Sequence, residues 1–206
     1  MEERKNETAR DVSEAAGTTG GGAAERSGAH PHPLADFIYC PRCGGEFRPN
    51  NGKSNRCLKC GFVYYFNPSS AVACFITDPQ GRVLVSRRAF EPAAGTLDLP
   101  GGFVDCFETV EQAVHREVME ETGLEIESLR YLFSRHNIYP YSGFEVHTTD
   151  LIFEARTGSF EGCRPQDDVA ELLAVEPEAL DPSQFGLRSI AEAVAVYKAR
   201  RLAAGR

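Results

Sequence analysis

Residues 102–124, GFVDCFETVEQAVHREVMEETGL, decide the reading of this chain. After Gly102 they set Glu108, Arg116, Glu117, Glu120, Glu121 and Gly123 at fixed intervals, with bulky aliphatic residues at Val118 and Leu124. On a helix, residues three and four apart share a face, with Cβ atoms about 5–6 Å apart. Glu117 therefore stacks with Glu120 and Glu121, and three carboxylates on one edge repel unless a cation lies among them. A hard divalent ion such as Mg2+ or Mn2+ takes oxygen ligands and keeps waters of its own. Such an ion relieves the repulsion and can hold a diphosphate at the same time. Glu117, Glu120 and Glu121 are thus candidate metal ligands and catalytic residues, with Glu117 also a candidate for removing a proton from water. Arg116, between Glu108 and Glu120, is expected to orient a carboxylate through paired hydrogen bonds rather than touch substrate. Gly123 is placed to end the helix in the left-handed conformation, with Leu124 as the apolar contact behind it. Ahead of the helix, Leu99-Pro100-Gly101-Gly102 is a loop whose bare backbone at Gly101 and Gly102 can approach metal or phosphate.

A Glu-rich run is ordinarily a solvated helix face. The full pattern, G-x5-E-x7-R-E-U-x-E-E-x-G-U with U a bulky aliphatic residue, overrides that reading. Its fixed positions would be filled by chance on the order of once in 10^8 starting points. The pattern resembles the Nudix hydrolases, enzymes that cleave a nucleoside diphosphate linked to another group. The resemblance covers about residues 70–201. It implies an α+β fold, a three-layer α/β/α sandwich around a mixed sheet. It also implies Mg2+ or Mn2+ at the box carboxylates, and homodimers are common in the family. Members often place a further metal ligand or the base in a later loop; Asp167, Asp168 and Glu171 lie in such a loop here, with Asp168 the choice among them.

Upstream, Cys40-Pro-Arg-Cys43 and Cys57-Leu-Lys-Cys60 are two C-x2-C pairs, each followed by a glycine, Gly44 and Gly61. Four thiolates at this spacing suit a closed tetrahedral Zn2+ site, structural rather than catalytic. The glycines permit turns that aim backbone amides at sulfur. Cys74, Cys106 and Cys163 are scattered singly and read as small packing residues. Arg42, Arg48, Lys53, Arg56 and Lys59 face a single Glu46 in this region. Four thiolates on zinc carry a formal charge near −2, so stabilising them accounts for these basic residues at least as well as nucleic-acid binding does.

The chain has 206 residues and a formal net charge of −8, which argues against a dedicated nucleic-acid binder. No apolar run approaches membrane-spanning length, and the reading is a cytoplasmic protein without membrane contact. Residues 1–34 hold hardly any large apolar side chain and read as a disordered tail, His30 and His32 included. Residues 35–68 form the expected zinc ribbon and 69–206 the Nudix domain. In the latter, residues 71–77 and 83–87 read as a hairpin turned at Asp78-Pro-Gln-Gly81. Further strands are expected over 129–134, 149–155 and 170–175, and a helix over 190–202.

A zinc ribbon ahead of a Nudix domain looks like the arrangement in NADH pyrophosphatases, whose marker segment reads S-Q-P-W. Here the corresponding stretch, SRHNIYPYSG at 134–143, lacks Gln-Pro-Trp. The ADP-ribose-hydrolysing group carries a proline some fifteen residues past the box, where Pro140 stands. Tyr139 and Tyr141 are candidates to stack on a base, or else to pack the sheet edge. Arg135 and His136 are candidates for phosphate contact or for the surface. The reading is a diphosphatase acting on ADP-ribose, an ADP-sugar or NAD(H), with NADH pyrophosphatase or NAD-cap removal as variants. The rival of another class is a non-catalytic nucleotide sensor whose ribbon binds a partner. Loss of a box carboxylate would mark that rival, and none is missing.

Overall fold

The computed structural model describes residues 32–141 and 143–204. Three short antiparallel strands open it: β1 (Phe47–Asn51), β2 (Ser54–Cys57) and β3 (Val63–Tyr65), in the order β1-β2-β3. Their core is small, Phe47 stacked on Phe62 at 6.3 Å beside buried Cys40 and Cys57. Apolar burial on this scale does not hold a module of this size by itself, which is where a structural metal or a partner domain is needed. The assignment of residues 1–34 to a tail is corrected at its end. Leu34 is buried, the Asn55 side-chain amide donates to the Leu34 and Phe37 carbonyls, and a His32 ring nitrogen lies 2.7 Å from the Asn51 carbonyl oxygen. One large apolar side chain is enough to dock that segment on the ribbon. His30 and the rest of the tail lie outside the described residues.

The main sheet has six strands: β4 (Ser69–Thr77), β5 (Val83–Arg88), β6 (Leu97–Asp98), β7 (Ser128–Tyr141), β8 (Phe144–Arg156) and β9 (Val169–Val175). They run β6-β5-β4-β8-β7, with β9 paired to β5; β4 and β8 are parallel and the other pairings antiparallel. β4 is apolar on both sides because helices cover both faces of the sheet. Val72, Cys74 and Ile76 meet helix α1 (Val110–Thr122) through Ala113, Val114 and Val118. Ala73 and Phe75 meet helix α2 (Arg188–Ala204) through Ile190, Ala193, Val194 and Tyr197, with Phe75 stacked on Tyr197 at 4.0 Å. This is the three-layer sandwich with a mixed sheet that the sequence led us to expect. The β4–β5 turn forms at Asp78, whose carboxylate accepts from the Gln80 and Arg82 amides.

β7 and β8 outrun their expected spans. The sequence marks 129–134 and 149–155, whereas the strands cover Ser128–Tyr141 and Phe144–Arg156. The extra length is a two-stranded ribbon of mixed polarity, paired from Arg135 with Asp150 out to Tyr141 with Phe144. Polar residues hide it from a hydrophobicity pattern. Pro140 is accommodated because β7 is an edge strand, where a missing N–H costs no ladder bond. This extension touches the zinc-ribbon region: Phe37 meets Phe144 edge-on at 5.7 Å, and Phe66 meets His147 at 5.4 Å. Among the described residues, no helix is long and apolar enough to cross a membrane.

Candidate active site

Helix α1 is fixed at both ends by its own sequence. Thr109 caps it, accepting from the Gln112 amide while the Gln112 side chain accepts from the Thr109 amide, the reciprocal arrangement that satisfies two free N–H groups. Gly123 ends it at φ 71°, with its N–H bonded to the Met119 carbonyl. The helix thereby holds Glu117 and Glu121 against residues 99–102, the loop leaving β6.

That loop is clamped to β4. The Val72 amide donates to the Gly102 carbonyl at 2.8 Å and the Cys74 amide to the Pro100 carbonyl at 2.9 Å. The Gly101 N–H donates to Glu121 Oε2 at 3.0 Å, so the glycine amide orients a carboxylate and is not directed outward. Neither glycine has room for a side chain. A Cβ on Gly101 would collide with the Val72 carbonyl oxygen and reach within 2.8 Å of Ala73 Cα; one on Gly102 would lie 2.7 Å from the Glu117 carboxyl carbon. Because the Gly101 obstruction is backbone, Gly101→Ala is expected to destabilise the protein by about 3 kcal/mol or more. In a chain of this size that lowers Tm by roughly 10 °C in a thermal melt. An unchanged Tm would mean that the loop is not clamped as described.

Arg116 engages three glutamates. Its Nη2 and Nε reach Glu108 at 2.6 and 3.2 Å, and its Nη1 reaches Glu117 at 2.8 Å and Glu120 at 3.0 Å. It also donates to the Phe103 carbonyl. Arg116 holds the Glu108 carboxyl below the usual carboxylate range. The arginine that the sequence places between Glu108 and Glu120 thus spans them and grips Glu117 as well.

Glu121 is buried, and burial pushes its carboxyl up to about 9, with the neighbouring Asp168 adding to the shift. Burial also raises Glu117, and Arg116 partly offsets it. Of the three later acids, Asp168 is the one brought to Glu121, and Glu171 lies within β9 and not in the loop ahead of it. Glu171 instead pairs with Arg87 at 2.9 Å, and Asp167 takes a positive φ of 52° at the turn. Glu121 and Glu117, both raised by burial and set against the glycine loop, are the oxygen donors here that suit a hard divalent ion.

Glu121 ionises near 4.3 when unfolded and near 9 when folded. Its contribution to stability is fully present below about pH 4.3 and lost as pH rises through about 9. In buffer free of Mg2+ and Mn2+, wild-type Tm is therefore expected to fall relative to Glu121→Gln as pH rises from 4 to 9. Parallel pH profiles would refute this.

Beside the carboxylates opens a cavity of about 140 Å3 lined by Arg88, Asp98, Gly101, Gly102, Phe103, Asn137, Tyr139, Thr148, Asp150 and Asp168 among others. Arg88 pairs with the buried Asp98 at 2.6 Å and reaches the Tyr139 hydroxyl at 3.4 Å. Burial raises the Asp98 carboxyl, and Arg88 holds part of that rise back. Tyr139 lines the cavity, meets Phe103 edge-on at 6.0 Å and stacks on Tyr141 at 6.5 Å; Tyr141 is exposed and outside the lining. Arg135 lies near Glu192 at 3.8 Å and over the Phe133 ring, and His136 is exposed. Sequence reading missed Arg88, Asp98, Asn137, Thr148 and Asp150. Only Asp98, one residue before the Leu-Pro-Gly-Gly loop, carried a local signal.

The four ribbon cysteines have sulfurs all within 4.8 Å of one another, with Cys40–Cys60 at 3.8 Å and Cys43–Cys57 at 3.6 Å. A tetrahedral zinc with Zn–S bonds of about 2.3 Å places its sulfurs about 3.8 Å apart, so the set fits Zn2+. Backbone amides face the sulfurs: Arg42 N–H to Cys40 and Cys60 N–H to Cys57, each 3.4 Å, at turns made by Gly44 (φ 65°) and Gly61 (φ 73°). The Cys60 amide draws the Cys57 thiol down to about 6. Of the basic side chains in this region, Arg48 pairs with Glu46. Among the described residues, the cysteines are the one group of at least three such side chains whose ligand atoms lie this close together.

Residues 67–195 match the NUDIX domain, and the chain belongs to that family. It is 35% identical over 105 residues to the NAD-capped RNA hydrolase NudC of Chromobacterium violaceum, covering 50% of this chain and 39% of that protein. It is 34% identical over 102 residues to the human mitochondrial NAD(P)H pyrophosphatase NUDT13, covering 50% of this chain and 29% of that protein. The matched segment is thus about two fifths or less of these relatives' length. Among solved structures, a NUDIX hydrolase from Nitrosomonas europaea superposes with a TM-score of 0.62 at 24% identity, covering 79% of this chain and 91% of that one. The NUDIX domain of Shewanella oneidensis NrtR, complexed with ADP ribose, gives 0.53 at 22% identity, covering 67% and 90%. Both likenesses concern the fold.

Proposed function

We propose that this chain is a divalent-metal-dependent hydrolase that cleaves the diphosphate of an ADP-linked compound: ADP-ribose, another ADP-sugar or NAD(H). The observation that carries the proposal is that Glu117 and Glu121 are held against the clamped glycine loop, with Asp168 next to Glu121, beside a cavity with an aromatic wall. Glu117 and Glu121 would hold Mg2+ or Mn2+, with Glu120 a ligand or water-mediated partner. Bound there, the ion would supply the positive charge that neutralises the diphosphate and acidifies the attacking water. Arg116 keeps Glu117 in place through its bonds to Glu108 and Glu120, and the Gly101 amide does the same for Glu121. Asp168, beside Glu121, is the further ligand or the base; Glu117 is the alternative base. The aromatic wall of Phe103 and Tyr139 offers a face for the adenine, and Tyr141, expected with Tyr139 from the sequence, lies outside it, stacked on Tyr139. The products are AMP and the other phosphorylated half.

The activities of the relatives NudC and NUDT13 favour a second reading of the same chemistry, on NADH or NAD-capped RNA. Against it stands residue content: β7 carries Asn137 and Tyr139 into the cavity, and this strand lacks the Gln-Pro-Trp of the NADH-cleaving group. ADP-ribose is therefore expected to be cleaved better than NADH. Rates on ADP-ribose, NADH, diadenosine polyphosphates and NAD-capped RNA, in Mg2+ and then Mn2+, test both readings. A kcat/KM favouring NADH by tenfold or more, about 1.4 kcal/mol, reverses the order. Binding without turnover on the whole panel would leave the nucleotide sensor.

A further inference from the structure

The cavity floor holds a carboxylate that the proposed chemistry does not use. Asp150, on β8, is 6% exposed and lines the cavity. Its Oδ1 accepts from the Thr148 hydroxyl and its Oδ2 from the Ser189 hydroxyl, each at 2.5 Å, and both hydroxyl residues are buried. Its cross-strand neighbour Arg135 is turned towards Glu192 and the Phe133 ring, so among the described residues no basic group pairs with Asp150.

A carboxylate offers about four lone-pair sites, and hydrogen bonds to it are of the strong, charge-assisted kind. Two sites are taken here by hydroxyls that fix its orientation. Because both hydroxyls spend their proton on Asp150, the two of these residues that line the cavity, Thr148 and Asp150, present only acceptors to it. The cation across from it is already engaged: Arg88 donates to Asp98, to the Pro92 carbonyl and to the Tyr139 hydroxyl. An acceptor-rich floor repels phosphate and rewards a ligand that brings donors. The volume of about 140 Å3 suits one ring, since a cavity of about 150 Å3 accommodates benzene.

We infer that Asp150, braced by Thr148 and Ser189, is a specificity-determining residue that reads hydrogen-bond donors on the ring occupying this cavity. The donors are those of the sugar hydroxyls or of the base's exocyclic amine. The inference rests on the hydrolase reading and extends it to the group that the enzyme recognises. A site built to hydrogen-bond a substrate discriminates sharply against an analogue without the donor, because its buried acceptor is then left unpaired.

The test measures kcat/KM of wild type, Asp150→Asn and Ser189→Ala in Mg2+ on three compounds. They are ADP-ribose, the cyclopentyl ester of ADP (a ring without hydroxyls) and IDP-ribose, in which a carbonyl replaces the adenine amine. Wild type is expected to prefer ADP-ribose by at least about tenfold over whichever analogue has lost the donor that Asp150 reads. Asp150→Asn should cut that preference to less than about threefold, with Ser189→Ala intermediate. Loss of discrimination against the cyclopentyl ester assigns the sugar, and against IDP-ribose the base. If both variants slow all three compounds by one common factor, or slow none, Asp150 is structural only and the inference is overturned. Ser189→Ala leaves the carboxylate in place, so it keeps the test valid should Asp150→Asn fold poorly. No cleavage of any compound by wild type would instead overturn the hydrolase reading itself.

Discussion

Glu121→Gln is expected to lower kcat by about three orders of magnitude while leaving the fold intact, and Glu117→Gln to do nearly as much. The reason lies in where the two carboxylates stand. Glu121 is buried against the Gly101 amide with Asp168 beside it, and Glu117 lies under Gly102 in the grip of Arg116. A glutamine keeps the shape but not the charge that a hard divalent ion requires. The ion's share of transition-state stabilisation is several kcal/mol, and three orders of magnitude correspond to about 4 kcal/mol. Stability should move the other way. Removing one of several crowded acids relieves desolvation and repulsion, so Glu121→Gln should melt no lower than wild type in metal-free buffer near pH 8. Initial rates at saturating Mg2+, with circular dichroism as the control for folding, check both halves. Equal wild-type and mutant rates would remove these residues from the reaction.

The second large effect is in the zinc ribbon. One Zn2+ per chain is expected in protein purified under reducing conditions, and Cys43→Ser is expected to lose it and to unfold residues 37–66. The four sulfurs are already spaced for the metal, whereas the apolar support is little more than Phe47 on Phe62. Structural zinc in small modules supplies on the order of 10 kcal/mol of folding free energy, far more than such a core provides. Elemental analysis gives the stoichiometry, and amide exchange over residues 37–66 gives the local unfolding. Zinc-free protein with a protected ribbon would refute the expectation.

What the sequence made legible, and what it hid, divides along a physical line. The acidic helix could be read because its constraints are local: carboxylates at helical intervals and a glycine stop all lie within one short stretch. The cysteine knuckles and the β4–β5 hairpin are local in the same sense. The cavity could not be read, since Arg88 reaches Asp98 only through the β5–β6 register, and Asp150 meets Ser189 across 39 residues. Nor did the outer half of β7 declare itself, because an edge strand of mixed polarity has no alternation to detect. Asp168 was the choice among three acids, but the contact that takes Glu171 away to Arg87 spans 84 residues and had no local sign.

The contacts of Phe37 with Phe144 and of Phe66 with His147 bear on where this chain can be cut. The family match begins at residue 67, and an excision there would look harmless on paper. It would strip two aromatic partners from the tip of a long, thin hairpin whose outer strand already has an unpaired edge. A bared strand edge with exposed rings is a template for adhesion between molecules. The same hairpin, at Asn137 and Tyr139, is a wall of the cavity. The ribbon is thus less a detachable appendage than a bracket, and a shortened enzyme would forfeit solubility and substrate grip together.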